Sequence, residues 1–447
     1  MMKTPICDFV RRYASSSPLR LHMPGHKGKG PLGVEEIDIT EISGADVLYH
    51  ESGILKESQE NASLLFQSGK TLYSTEGSTL CIRAMLQLAR IDAKERGKEF
   101  VLGAERHAHR SFFTGCALLG IEPLYFPSRH PGSLFSGVVS PDDLRSFFRE
   151  QEKAPTAIYI TSPDYLGNVS DISEISEVCR ENDCLLLVDN AHGAYLSFLP
   201  DKNHPLAQGA DLVCDSAHKT LPVLTGGAYL HLSRSAPPYL LSQAESVMAL
   251  FSSTSPSYLI LQSLDACNAY LCDDFSRKLT AFAGKVHDLK KTLMKLGFSL
   301  VGNEPLKITV QTKPSGYTGD ELSVILQEMG IYCEFSDPDH LVMMLSPSLE
   351  DEALERIADA FSKIPQRNPI LVFPPKIPFA EKGMTLRDAV LSPCEKVSIE
   401  DSVGRILSKP DTSCPPAVPI LLCGERIEKE HLPLFRYYGI MDLQVVK

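Results

Sequence analysis

The sequence has 12 cysteines in 447 residues, yet no C-x-x-C pair. They stand singly, at positions 7, 81, 116, 179, 184, 214, 267, 272, 333, 394, 414 and 423, which argues against zinc ribbons and dithiol redox sites. Several, Cys184 and Cys214 among them, lie in or beside apolar runs, where a thiol packs as a small hydrophobe. That is the pattern of reduced cysteines in a cytosolic protein. No apolar run approaches the ~18 residues of a membrane span, and the opening MMKTPICDFVRRYASSS has no apolar stretch of the kind a signal peptide carries. These absences predict a soluble, cytoplasmic protein with no membrane partner. Clustered basic charge is missing as well: Lys and Arg total 44 against 56 Asp and Glu, a formal charge of -12. Nucleic acid is therefore not an expected partner, since phosphate neutralisation needs grouped cations. An acidic surface would instead draw cationic small molecules. GHKGKG falls short of G-x-x-x-x-G-K-[ST] and follows no strand, and no G-x-G-x-x-G follows the first strands. Neither an NTPase nor a dinucleotide fold is supported.

What is present is a rhythm of elements. Residues 1–55 read as an irregular arm rich in Gly, Pro and His (LHMPGHKGKGPLG). Residues 56–275 form a large domain in which helix-like and strand-like stretches alternate. KESQENASLLFQSG reads as helix, TLYST as strand, GSTLCIRAMLQLARIDAKERG as helix and EFVLGAE as strand. HAHRSFFTGCALLG with IEPLYF, SPDDLRSFFREQE with TAIYIT, SDISEISEVCRENDC with LLLVDNA, and PLAQG with ADLVCD continue the series. Such alternation predicts an α/β fold with a mostly parallel sheet covered on both faces. Ligands gather at the carboxyl edge of such sheets. Residues 237–297 read as nearly continuous helix. A smaller α+β portion, 276–365, contains KITVQT, GDELSVILQEMG, HLVMMLS and LEDEALERIADAFSKI. The Pro-rich PQRNPILVFPPKIPFAEKG then leads into a C-terminal domain within 366–447.

Chemistry concentrates in DLVCDSAHKTLPVLTGGAYLH, residues 211–231. Lys219 stands apart from other charge: its nearest charged neighbours in sequence are Asp215 and Arg234, so it belongs to no solvated charge run. Upstream, LLLVDNAHGAY ends a buried-looking strand at Asp189. One βα unit separates the two, which brings both to the same edge of the sheet. An acid and a lysine so placed suit pyridoxal 5'-phosphate (PLP), whose aldehyde forms a Schiff base with a lysine amine and whose ring nitrogen stays protonated beside a carboxylate. EGSTLCIRAML supplies a phosphate site: Gly77 lets the backbone approach, Ser78 and Thr79 offer hydroxyls, and the amides of the following helix point at the anion. Ser216 and His218 could complete the cradle. Taken alone, these have blander readings, Asp189 as a helix cap and Ser78 or Thr79 as an N-cap. His107 and His109 in ERHAHRSFF are half of a metal site with no further ligand at a workable spacing, so no metal is expected. An imidazole stacked on the cofactor ring, or a hydrogen-bonded core histidine, is the alternative.

Together these residues resemble the ornithine/lysine/arginine decarboxylase family, PLP-dependent enzymes of the aspartate-aminotransferase type of fold (fold type I), in its short bacterial form without an added N-terminal receiver-like domain. The resemblance begins at LHMPGHKG and DITEISGADVLYHESGI and runs through GSTLCIRAM, RHAHRS, TSPDYLGNVSDI and VDNAHGAY. It peaks at SAHKTLPVLTGGAYLH and resumes in CPPAVPILLCGERI. It implies Lys219 as the Schiff-base lysine and Asp189 as the partner of the pyridine nitrogen. It further implies His109 stacked on one ring face, Ala191 against the other with His192 close by, and Ser78, Thr79, Ser216 and His218 on the phosphate. A homodimer or larger assembly is implied too, each active site completed by the neighbour. Departures from the family pattern fall at Asp164 (usually S-P-T-Y), Asn190 (V-D-E-A-H-G), Gly226 (L-T-Q), and Cys414, Ala417 and Cys423 near the end.

The reaction so implied is decarboxylation of a basic amino acid, arginine, lysine or ornithine, to the amine and carbon dioxide, a step of polyamine biosynthesis. Asp164, Glu41, Asp46 and Glu51 are candidates for the acid that selects a cationic side chain. Two alternatives stay open: an aminotransferase or a decarboxylase of an uncharged amino acid on the same scaffold, and a non-catalytic regulatory paralogue.

Overall fold

The computed structural model describes residues 2–50, 52–126, 134–411 and 418–447. Glu51, Cys414 and Ala417 lie outside the described residues. The chain opens with helix α1 (Pro5–Ser15), which corrects the expectation of an irregular arm from residue 1. Pro5 sits in the first turn, where its missing N–H is no loss, and Ile6, Val10 and Ala14 recur at helical spacing and are buried. Their start is anchored by Asp265, whose Oδ2 accepts the N–H groups of Ile6 and Cys7, each at 3.0 Å, while Oδ1 accepts the Ser58 hydroxyl at 2.6 Å.

The alternation then follows: α2 (Ile54–Phe66), β1 (Lys70–Ser74), α3 (Gly77–Glu95), β2 (Leu102–Glu105), α4 (Arg110–Leu119), β3 (Leu124–Phe126), α5 (Pro141–Glu150), β4 (Ala157–Thr161), α6 (Ile172–Glu181) and β5 (Leu185–Asp189). PLAQG makes turns rather than a helix. Pro205 and Gly209 bracket too few residues to offset the cost of helix nucleation. Next come β6 (Leu212–Asp215), the short α7 (Ala217–Thr220) and β7 (Ala228–Leu232). The stretch read as nearly continuous helix is three helices, α8 (Pro238–Phe251), α9 (Tyr258–Cys272) and α10 (Phe275–Lys295). SSTSPS interrupts it: Pro256 disfavours helix in the residue before it, and Ser257 caps α9 by accepting the Ile260 N–H. The rest comprises β8 (Ser299–Val301), β9 (Lys307–Gln311), α11 (Gly319–Glu328), β10 (Phe335–Ser336), β11 (His340–Met344), α12 (Ala353–Ser362), α13 (Leu386–Leu391), β12 (Cys394–Ser398), α14 (Leu432–Tyr437) and β13 (Asp442–Val446). The class is mixed α/β, with a large, mostly parallel sheet and a smaller C-terminal portion.

The chain forms two compact units. The first holds residues 1–101, 153–159 and 172–279, and its strands run in the order β1-β7-β6-β5-β4, counting the first residues of β4. β5 and β6 are parallel, with Asp189 opposite Cys214. β7 runs antiparallel to β6 and to β1, which sets His231 opposite both Val213 and Thr71. Leu186, Leu187, Val188, Leu212, Val213 and Leu230 are fully buried, the reason LLLV and LV are unbroken apolar runs rather than alternating ones. The second unit holds residues 102–152, 160–171 and 280–447. It contains the parallel pair β2 and β3, a four-stranded antiparallel sheet in the order β10-β11-β9-β8, and the β12–β13 ribbon. Phe135, Leu166, Val342, Leu421, Phe435 and Val445 lie in one of its cores.

Candidate active site

Because β5 and β6 are adjacent and parallel, the residues that follow them emerge at one carboxyl edge. Asp189 closes β5, and Lys219 lies in α7, directly after β6. Asp189 is 2% exposed. Its Oδ2 accepts the Tyr159 hydroxyl at 3.0 Å, and its Oδ1 accepts the Cys214 thiol at 3.4 Å and the Ala191 N–H at 3.2 Å. Burial raises its pKa above the usual carboxylate range, against the Lys219 charge and these three donors, which lower it. Among the described residues, the hydrogen-bond donors that answer this deeply buried carboxylate are all neutral. Lys219 is exposed, and its Nζ meets His192 Nε2 at 3.0 Å. His192 is itself buried, 6% exposed.

The first turn of α3 lies in the same unit. The N-cap residue of this helix is Glu76, whose side chain makes no capping bond and instead accepts the Ser253 N–H on Oε1 at 2.7 Å; the first turn itself holds no acid. The Ser216 hydroxyl donates to Ser78 Oγ at 2.9 Å, joining the start of α3 to the residue before α7 across 138 positions. Thr79 is half-buried in that turn. Gly77 has φ +69, and its N–H is engaged by Gly226 O at 2.7 Å, so this amide serves the scaffold rather than an anion. Both the backbone N–H and Nδ1 of His218 contact Gly227 O, at 3.1 and 3.0 Å. Nδ1 therefore carries the proton. Burial lowers the His218 pKa, opposed by the Gly227 carbonyl. His109 belongs to the second unit, where it caps α4 and its Nδ1 accepts the Ser111 N–H at 3.2 Å.

The departures from the family pattern acquire causes. Alternation along a strand sends Asp189 and Cys214 to one face and Asn190 and Asp215 to the other. There the Asn190 amide donates to Asp215 Oδ1 at 2.7 Å, while His204 Nε2 and His231 Nε2 meet Oδ2 at 3.0 and 3.1 Å. A glutamate at 190 would set one buried carboxylate against another. The two imidazoles, His204 foremost, hold the Asp215 carboxyl below its usual range although burial pushes the other way. His204 Nδ1 accepts the Leu206 N–H at 3.3 Å, so Nε2 bears the proton and donates. The three donor groups lie within 4.8 Å of one another, and here the imidazoles are hydrogen-bonded to the carboxylate. Gly226 has φ +99, and a Cβ there would lie 3.0 Å from Thr75 O and 3.1 Å from Ile260 Cδ1, so glycine is what this turn admits. Asp164 is buried, but Oδ1 accepts the Asn168 N–H at 2.8 Å, and Oδ2 accepts the Gly137 N–H at 3.1 Å and the Asn168 amide at 2.7 Å. It organises its own loop. Asp46 likewise spends its oxygens on the N–H groups of Val47, Ser52, Gly53 and Leu55. Cys423 is buried in the second unit, its thiol pushed up to about 12 mainly by burial.

Sequence reasoning missed Tyr159 and Cys214, which hold Asp189, and the network of Asp215, His204 and His231 behind Asn190. Strand register, which pairs Asp189 with Cys214, is the signal that finds the thiol.

These residues fit PLP. Asp189 is a buried carboxylate with a raised pKa, suited to a ring N–H; an amine stands at the same edge; and the first turn of α3 offers backbone amides beside paired hydroxyls. The architecture is that of the PLP-dependent fold type I enzymes. Its likeness to the crystal structure of the lysine decarboxylase LdcF of Francisella novicida has a TM-score of 0.79 at 16% identity, covering 100% of this chain and 81% of that one. The chain belongs to the Orn/Lys/Arg decarboxylase family: residues 4–299 match the family's major domain and residues 377–444 its C-terminal domain. It is 30% identical to the uncharacterized protein YaaO of Bacillus subtilis, over 96% of this chain and 93% of that protein. It is 27% identical to an arginine decarboxylase of Halalkalibacterium halodurans, over 97% and 93% respectively.

Proposed function

We propose that the chain is a PLP-dependent decarboxylase of a basic amino acid, with arginine placed ahead of lysine and ornithine, releasing carbon dioxide and the corresponding amine. The observation that carries this reading is the Asp189 carboxylate, buried among neutral donors, at the same sheet edge as the Lys219 amine, in a chain of this family. Lys219 is the attachment point for the cofactor, and Asp189 holds a proton at the pyridine nitrogen. Ser78, Thr79, Ser216 and His218, with the amides at the start of α3, hold the phosphate. Ala191 and His192 line the ring, and His109 keeps the stacking role that the family resemblance gives it. When bound, PLP supplies a sink for the electron pair left behind as the substrate carboxylate departs. His192, hydrogen-bonded to Lys219, exchanges a proton with its amine, and Lys219 returns one proton to the substrate Cα.

A cationic substrate agrees with the formal charge of -12. Among the acids considered for its distal group, Asp46 and Asp164 are committed to backbone amides. Glu41 is half-buried and accepts the Thr40 hydroxyl at 2.6 Å on Oε2, which leaves Oε1 for a cation. The exposed apolar side chains of the arm, Leu19, Leu21, Met23 and Leu32, support burial against a second copy and hence a homodimer. The same reading assigns the amine products to polyamine formation and the protein to the cytoplasm. No described helix is long and apolar enough to cross a membrane. The test is to load the protein with PLP, supply a mixture of common amino acids, and measure carbon dioxide and amines. Arginine should yield agmatine, and Lys219→Ala should abolish both turnover and the visible absorption band. A yellow protein that releases carbon dioxide from no amino acid, or one that stays colourless with PLP, overturns the proposal.

A further inference from the structure

The carboxylate of Asp189 is gripped from both neighbouring strands, by groups to which the functional reading gave no role. β5 lies between β4 and β6. Register puts Cys214 of β6 directly opposite Asp189, on the same face of the sheet, and its thiol reaches Oδ1 at 3.4 Å. From β4 the Tyr159 hydroxyl reaches Oδ2 at 3.0 Å. Tyr159 and Cys214 are both fully buried, so water does not compete for either bond.

We propose that Tyr159 and Cys214 are positioning residues that fix the plane of the Asp189 carboxylate, and so aim it, for the ring nitrogen of PLP. The inference rests on the PLP reading above and adds to it the residues that orient its acid. One oxygen alone bonded would leave the carboxylate free to turn about its Cβ–Cγ bond. Donors on both oxygens, Tyr159 on Oδ2 and Cys214 beside the Ala191 N–H on Oδ1, remove that freedom and leave the remaining lone pairs in one set of directions. Packing alone does not require a hydroxyl or a thiol here. An apolar residue would fill either position, but at 159 it would take the hydroxyl donor from Oδ2, and at 214 it would leave Oδ1 with the Ala191 N–H and without the thiol. Burial, then the charge of Asp189, pushes the Cys214 thiol well above its usual range, so it stays protonated and able to donate.

The test uses PLP-loaded full-length protein and the variants Tyr159→Phe, Cys214→Ala and Cys214→Ser. The readouts are the PLP dissociation constant, the pH dependence of the visible band, kcat and KM. Losing a hydrogen bond to a charged group should weaken PLP binding about tenfold in Tyr159→Phe, and several-fold in Cys214→Ala because a thiol is the weaker donor. The band should titrate at a shifted pH in both, and kcat should fall with little change in KM for the amino acid. Cys214→Ser, which keeps a donor, should recover most of the affinity and the band's original pH dependence. That rescue is not expected if Cys214 only fills space. Should Cys214→Ala fail to fold, Tyr159→Phe and Cys214→Ser carry the test. If wild type binds PLP while Tyr159→Phe and the foldable Cys214 variants all match its affinity and band titration within about twofold, the positioning role is overturned and the cofactor assignment stands. If wild type takes up no PLP, both fall.

Discussion

Replacing Asn190 with Asp isolates the pairing behind the strand end. Asn190 Nδ2 donates to Asp215 Oδ1 at 2.7 Å, and both residues are fully buried. Aspartate keeps the shape but puts a carboxylate oxygen where the donor was. Two such charges about 4 Å apart, at an effective dielectric near 20, repel by about 4 kcal/mol. If one takes up a proton at pH 7 instead, against an unperturbed pKa of about 3.9, the cost is about three units, again about 4 kcal/mol. Either route predicts a loss of about 4 kcal/mol in folding stability at neutral pH. The pH dependence has a definite sign. The added carboxyl would titrate in the folded protein above its unfolded value, so its penalty is complete above the folded pKa and vanishes as pH falls toward about 4. Denaturant unfolding of wild type and variant at about pH 5.5 and about pH 8 should show the gap narrowing at the lower pH, by about 1.4 kcal/mol per unit below the folded pKa. The double variant Asn190→Asp with Asp215→Asn restores one donor facing one acceptor and should recover most of the loss. A penalty under about 1 kcal/mol, or one indifferent to pH, would refute the reasoning.

Removing both hydroxyls of the Ser78–Ser216 pair, by alanine at each, should raise the PLP dissociation constant by about tenfold or more, since hydrogen bonds to a charged group are worth about 1.5–3 kcal/mol each. A spectrophotometric titration measures it, and an unchanged constant would move the phosphate elsewhere. Gly226→Ala forces a side chain onto a backbone at φ +99 with 3.0 Å to Thr75 O. Its expected cost is about 1–3 kcal/mol in thermal unfolding, with weaker PLP binding because the Gly77–Gly226 link loosens. An alanine variant as stable as wild type would show that this turn relaxes freely.

The helices and strands of the large domain were legible because their period is written locally. LLLVDNA and ADLVCD became β5 and β6, and the lysine and acid that follow them leave at one edge of a parallel pair, whatever the details of packing. What stayed hidden depends on register and on residues far apart in sequence. Cys214 reads as a small hydrophobe until β6 is aligned with β5. Asn190 reads as a puzzling substitution until Asp215 is seen across from it, with His231 supplied by an antiparallel strand and His204 by a turn. The pattern of apolar residues reports which strands are buried, but not which polar side chains meet on a given face. α1 was missed for a different reason: Gly, Pro and His later in the arm masked a short amphipathic stretch whose burial depends on Asp265.

That last carboxylate bears on when the molecule becomes whole. Asp265 lies 258 positions beyond Cys7, whose N–H it accepts, and burial raises its pKa, so it is costly to leave without donors. Helix starts ordinarily fray, because solvent alone answers their first amides. Here detachment of α1 would strand a charge in the interior, which ties the opening residues to the stability of the body. During synthesis α1 emerges 258 positions ahead of the carboxylate that accepts its Cys7 amide, so it stays unsecured until Asp265 has followed it.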